Sequence, residues 1–136
     1  MATKFPSDEW AKLMMDDLNK SDAYMEAAKN WEGDFYFIIE PKDKGGQQSL
    51  LYMDLWHGKC REACLVTDPA ARKPVFLLSG SMENWKKVMT KQVDPMQAMM
   101  TGKLKLQGNM AMVMKNVRAA KELVESCTRI DTEYPV

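Results

Sequence analysis

One histidine, three cysteines, no apolar run longer than five residues and no excess of either charge: each shortage in this 136-residue chain removes a class of function. With one His, a Cys–His or Ser–His catalytic pair is available only around His57, and no surrounding motif supports one. Three cysteines, Cys60, Cys64 and Cys127, are an odd number and do not resemble a disulfide framework. The longest apolar runs, Phe35 to Ile39 and Met110 to Met114, fall far short of the about 20 residues of a membrane-spanning helix. Met1 to Pro6 lacks the apolar core of a signal peptide, so the cytoplasm is the expected compartment. Nineteen Lys and Arg cancel nineteen Asp and Glu, which argues against a dedicated nucleic-acid binder and leaves self-association unopposed by net charge. The length argues for one domain, 1–136.

Chemistry-bearing motifs are equally scarce. Gly45-Gly46 sits in a polar turn and does not lead into a helix, as a phosphate-binding loop would. There is no Gly-x-Ser-x-Gly elbow. His57, Cys60 and Cys64 suggest a metal site, but on a strand the two thiols stand roughly 13 Å apart and no fourth ligand is evident. The sequence therefore predicts no metal, no cofactor and no catalytic constellation.

Methionine is what the chain has in quantity: 13 residues, eight of them between Met82 and Met114. Met is unbranched and polarizable, so it suits a cavity that accepts flexible apolar guests better than a core with one rigid packing.

Periodicity predicts the elements. Ser7 caps a helix carrying Trp10, Leu13, Met14 and Leu18, and Ser21 either caps a second helix through Tyr24 to Trp31 or marks a bend in one. Strands follow over Asp34 to Glu40, with Phe35, Phe37 and Ile39 on one face, then over Ser49 to His57, Cys60 to Thr67 and Val75 to Ser79. Pro41 to Gln48, Gly58-Lys59 and Asp68 to Pro74 connect them, and the spacing suggests a meander of antiparallel hairpins. Ser81 caps a helix with Trp85, Val88 and Met89. Asp94-Pro95 opens another with Met96, Met99 and Met100, ending at Gly102. Lys103 to Gln107 alternates as a strand with Leu104 and Leu106 inward. Gly108-Asn109 opens one long helix whose stripe runs from Met110, Val113, Met114 and Val117 to Cys127, and the chain is expected to fray from about Ile130.

The stretch Asp94 to Lys115, with its Asp-Pro helix start, Gly-Lys-Leu-Lys-Leu strand, Gly-Asn turn and Met-rich helix, closely resembles the signature of the sterol carrier protein lipid-transfer family. Glu32 to Phe37, Met53 to Lys59 and Trp85 to Met89 extend the resemblance over roughly Ala23 to Val117. It implies an α+β fold: a five-stranded curved, mostly antiparallel sheet with helices over one face, enclosing an apolar tunnel. It also implies non-catalytic binding and transfer of fatty acids, fatty acyl-CoA or sterol-like molecules, with transient membrane contact and a monomeric or homodimeric state both open. Two departures stand out. The end, Glu133 to Val136, is not the peroxisomal address of many eukaryotic members, and the last helix runs on amphipathically towards Cys127, either closing the tunnel or pairing with another subunit.

The expected tunnel wall is Phe35, Phe37, Trp85, Met89, Met96, Met99, Met100, Leu104, Leu106, Met110, Val113, Met114 and Val117. Lys103, Lys105, Lys115 and Arg118 are the expected contacts for acyl-CoA phosphates. The competing readings are an interaction module using the last helix, and an accessory domain or weak acyl-CoA hydrolase dependent on His57.

Overall fold

The N-terminal helix begins where its orphan N–H groups find an acceptor: Ser7 accepts from the Trp10 N–H, with Asp8 and Glu9 in the positively polarised first turn. The computed structural model describes residues 2–41 and 46–134. The middle of the Pro41–Gln48 turn, Gly45 included, and the terminal Pro135-Val136 lie outside the described residues. In chain order the elements are β1 (Thr3–Lys4), α1 (Asp8–Lys20), α2 (Asp22–Ala27), β2 (Glu32–Glu40), β3 (Ser49–Trp56), β4 (Lys59–Val66), β5 (Phe76–Ser81), α3 (Met82–Met89), α4 (Pro95–Met100), β6 (Lys105–Gln107), α5 (Met110–Lys115), α6 (Val117–Thr128) and β7 (Thr132–Glu133). Ser21 ends α1 and accepts from the Tyr24 N–H, so the first helical stretch is two helices.

Five strands form one mixed sheet in the order β4-β3-β2-β5-β6. The pairings are antiparallel except for β2 with β5, which is parallel and sets Phe35 opposite Phe76. The four-strand meander expected from the spacing is therefore corrected. β5 does not continue outward from β4 but returns to the far side of β2. Its connection crosses the back of the sheet, held by the Tyr36 hydroxyl, which accepts from the Arg72 N–H at 2.9 Å and lies 3.1 Å from the Pro69 carbonyl.

The helices pack on the other face. There β2 and β5 present an aromatic group: the fully buried Phe76 ring lies 4.9 Å from Phe35 and 5.2 Å from Trp31, centroid to centroid. Two glycines make room for it. A Cβ on Gly33 would stand 2.7 Å from the Phe76 ring, and one on Gly108, whose φ is +135°, would stand 2.5 Å from it. Along the edge strand β4, α1 supplies partners at both ends: Asp8 accepts from the Leu65 N–H at 3.0 Å, and Asn19 exchanges two 2.9 Å bonds with the Cys60 backbone.

Three local expectations change. The tight turn falls on His57-Gly58, both at positive φ, one residue earlier than expected. The single long C-terminal helix is two helices, because Asn116 leaves the helical region at φ −121°, ψ 38° and its amide donates to the Met112 carbonyl at 2.7 Å. The chain does not fray at Ile130: β7 pairs in parallel with β1, bringing the two ends of the described chain together.

His57 ties the β3–β4 turn to the start of β2. Its Nδ1 lies 2.8 Å from the Lys29 carbonyl and its Nε2 2.7 Å from a Glu32 carboxylate oxygen. Both neighbours only accept, so both ring nitrogens must donate and the imidazolium satisfies the site. The Glu32 carboxylate first, and the Lys29 carbonyl second, raise the His57 pKa above its ordinary value of about 6.5. A raised folded-state pKa gives stabilisation that is complete below about 6.5 and is lost as pH rises through the folded value. The urea midpoint should therefore fall between pH 6 and 9 more steeply in the wild type than in His57→Gln. Parallel pH profiles would contradict this.

Candidate functional site: an apolar cavity between sheet and helices

Close packing normally leaves few voids larger than a water molecule in a domain core. Between the sheet and α6 this chain keeps one of ≈ 110 Å³, with an entirely apolar wall. Phe35 and Phe37 from β2, Leu51 and Met53 from β3, Leu78 from β5 and Leu106 from β6 form its floor. Trp10 and Met14 of α1, Trp85, Val88 and Met89 of α3, and Pro95 and Met99 of α4 form its sides, joined by Phe5, Leu104 and Val113. The roof is α6: Ala120, Leu123, Val124 and Cys127 recur at helical spacing and face inward. A second void of ≈ 40 Å³ lies behind Phe35, Val113, Ala120 and Leu123, which it shares with the first, and reaches Tyr24 and Trp31.

The wall is apolar because its polar atoms are engaged elsewhere. The Trp10 indole N–H donates to the Thr132 hydroxyl at 3.0 Å, and that of Trp85 to the Ile38 carbonyl at 2.9 Å, leaving ring surfaces for the cavity. Burial pushes the Cys127 thiol up to about 12, so it stays neutral. Among the described residues, no buried side-chain nitrogen or oxygen lacks a hydrogen-bond partner. A void with such a wall stays dry and suits an apolar guest.

The roof is anchored at its C-terminal end. Asp17 of α1 accepts from Arg129 at 2.7 Å and from the buried Ser126 hydroxyl. Burial works to raise the Asp17 pKa, but the bonds from Arg129 and Ser126 outweigh it and hold the carboxyl below its usual value. Lys91 pairs with Glu125 after α3. The last helix thus turns its apolar face to a cavity of its own chain.

Of the residues expected at the wall, Phe35, Phe37, Trp85, Met89, Met99, Leu104, Leu106 and Val113 are there. Met96 is buried in the core outside the cavity, and Met110 and Val117 are half-buried against the core. Met100 and Met114 are corrected: they are 71% and 47% exposed. In α4 the inward side is centred on Pro95 and Met99, which puts Met100 roughly 120° round the helix at about 100° per residue. In α5 it is centred near Val113, and Met114 lies beyond its edge because the break at Asn116 frees α5 from the stripe of α6. Lys103, Lys105, Lys115 and Arg118 are exposed outside the wall. The expected wall contains no residue of α1 and only Val117 of α6, although Trp10–Met14 and Ala120–Val124 show the required i, i+4 spacing. Among the described residues no three His, Cys, Asp or Glu side chains gather as metal ligands, and no helix is long and apolar enough to cross a membrane.

The family model of SCP-2 sterol transfer proteins matches residues 8–121. The chain belongs to the SCP-2 sterol transfer family. Members of known structure share its fold. A crystal structure of sterol carrier protein 2 is 31% identical, with a TM-score of 0.83 over 91% of this chain and 97% of that one. A conserved hypothetical protein of Thermus thermophilus, described as possibly a sterol carrier protein, is also 31% identical, with a TM-score of 0.81 over 92% and 88%. Sterol carrier protein 2 of Yarrowia lipolytica, 19% identical with a TM-score of 0.62 over 90% and 92%, shares the fold. No curated protein matches the sequence. Membership in the SCP-2 sterol transfer family supports lipid binding and transfer as the general activity of this chain.

Proposed function

We propose that the chain is a single non-catalytic lipid-binding unit that holds the apolar part of a fatty acid, fatty acyl-CoA or sterol-like molecule in the cavity under α6 and carries it through the cytoplasm. The wholly apolar void of ≈ 110 Å³ is the observation that carries this reading. Left empty, an enclosed void of that size costs at most about 2.6 kcal/mol at ~24 cal/mol per Å³, a penalty that a guest offsets.

The same reading sets affinity and selectivity. As it stands, a void of ≈ 110 Å³ is smaller than the roughly 150 Å³ cavity that takes up one benzene, so a long chain enters only as the methionine-lined wall moves apart. Burying about 15 methylenes in the widened cavity contributes at most roughly 12 kcal/mol at ~0.8 each. Immobilising a flexible ligand costs at least ~4 kcal/mol. The remainder corresponds to a dissociation constant near ~1 μM or weaker. Met53, Met89 and Met99 at the wall adapt to guests of different shape, so several long-chain lipids should bind with no sharp optimum. Displacement of a fluorescent fatty acid by a series of fatty acids, acyl-CoAs and sterols checks this. Sub-nanomolar binding of one sterol with every acyl chain rejected would contradict it. For acyl-CoA, the proposed role of Lys103, Lys105, Lys115 and Arg118 is to meet phosphates left outside the cavity. Acyl-CoA affinity should then weaken with salt more than fatty-acid affinity does.

A further inference from the structure

The roof of the cavity is held unequally along its length. From Glu125 onward it is tied to other elements. Glu125 pairs with Lys91, and Asp17 accepts from Ser126 and Arg129. Past the helix, Thr132 accepts from the Trp10 indole, and the Asp131 and Glu133 carbonyls accept from the Thr3 and Phe5 N–H groups at 2.9 and 3.0 Å. The preceding stretch has no such ties. Among the described residues, no side-chain hydrogen bond or ion pair joins residues 109–124 to another element. The bonds that Asn109 and Asn116 make to Met112 stay within α5 and its caps.

α5 is the least supported part of this stretch. It has six residues, of which Val113 alone is buried, and a helix so short does not persist by itself. Both ends leave the helical region, Gly108 at φ +135° and Asn116 at φ −121°, ψ 38°. α6 then starts without a side-chain cap. Val113 borders both voids. The smaller, ≈ 40 Å³, lies at the junction of α5 and α6, with Val113, Asn116 and Ala119 on its wall beside Tyr24 of α2 and Leu55 of β3. Atoms at the edge of a void lack partners on one side, so this seam gives up little contact when it parts.

We infer that α5 is the gate of the cavity. It swings outward on its two non-helical ends, withdraws Val113 from the wall and opens the seam at the smaller void, while the second half of α6 stays clamped. Local opening is drawn from the parts of a fold with the fewest ties, and here those parts border the cavity. Val113 is then the latch. That lipid passes through this opening rests on the lipid-binding reading; the motion of α5 does not.

Stopped-flow mixing with a fluorescent fatty acid tests the inference. Val113→Ala shortens the latch by about two methylenes and should raise uptake and release rates together, each about tenfold. Val113→Ile adds one methylene beside open space and should slow both about fourfold. Asp17→Ala leaves the buried Ser126 hydroxyl without its acceptor, a comparable disturbance at the clamped end, and should change the uptake rate less than about twofold. Thermal unfolding of each variant checks that the fold is intact. Without lipid, hydrogen exchange should be faster in α5 than in α6 beyond Glu125, and Val113→Ala should speed the first and leave the second unchanged. A change confined to the release rate would reduce Val113 to a wall contact, and a larger gain in uptake from Asp17→Ala would move the gate to the other end; either overturns the inference. So would exchange of α5 and the end of α6 in step. The expected exchange pattern in a protein that takes up no fatty acid would uphold the motion of α5 and remove the cavity reading.

Discussion

Replacing Ala120 by Phe should abolish measurable lipid binding and leave the protein at least as stable as before. Ala120 sits on the inward face of α6 and borders both voids. In a solid core, so large an insertion costs about 1–3 kcal/mol because neighbours must move. Here the ring enters space that is already open, and filling it recovers part of the cost of the larger void, at most about 2.6 kcal/mol. The loss falls on the ligand. Excluding four methylenes removes about 3 kcal/mol of burial at ~0.8 each, more than about 100-fold in affinity. Val124→Phe, one turn along the same face, should act in the same sense. Fluorescent fatty-acid titration and urea unfolding measure the two effects separately. A variant that is destabilised by several kcal/mol yet still binds would mean that the guest lies elsewhere.

The largest loss of stability should come from Phe76→Ala, at about 3–5 kcal/mol. Phe76 is completely buried and packs against Trp31 and Phe35, while Gly33 and Gly108 lack the Cβ atoms that would exclude its ring. Truncation leaves a hole bounded by sheet backbone, which cannot collapse inward. Val75→Ala next to it, at a side chain 61% exposed, should change stability by less than about 0.5 kcal/mol. Equilibrium urea unfolding of the two variants should separate them clearly. A cost below about 1 kcal/mol for Phe76→Ala would show that this aromatic group does not organise the core.

Features with a local cause were legible in the sequence. Ser7, Ser21, Ser81, Asp94 and Asn109 all cap helices, because a capping side chain needs only the next few N–H groups. The alternation of Phe35, Phe37 and Ile39, like that of Leu51, Met53 and Leu55, marked the buried face of the sheet. Features decided by distant partners were not legible. Strand periodicity says which face is apolar but not which strand lies alongside, so the parallel return of β5 to β2 left no mark in residues 75–79. β1 and β7 have two residues each and exist through each other, so neither shows a period. Half-exposed Met114 looked buried because its stripe was extended through Asn116, a residue whose side chain competes for backbone bonds and ends α5. Trp10 and Met14 were read as an apolar stripe, but only the contact of α1 with the rest of the chain turns that stripe towards the cavity.

The central claim is that a long-chain lipid occupies the cavity under α6. Native mass spectrometry of the purified protein incubated with a long-chain fatty acid tests it most directly. The account predicts a single added mass of one fatty acid per chain in the wild type, and the bare chain in Ala120→Phe under the same conditions. The bare chain alone in the wild type at every fatty-acid concentration, or equal loading of wild type and variant, would contradict it.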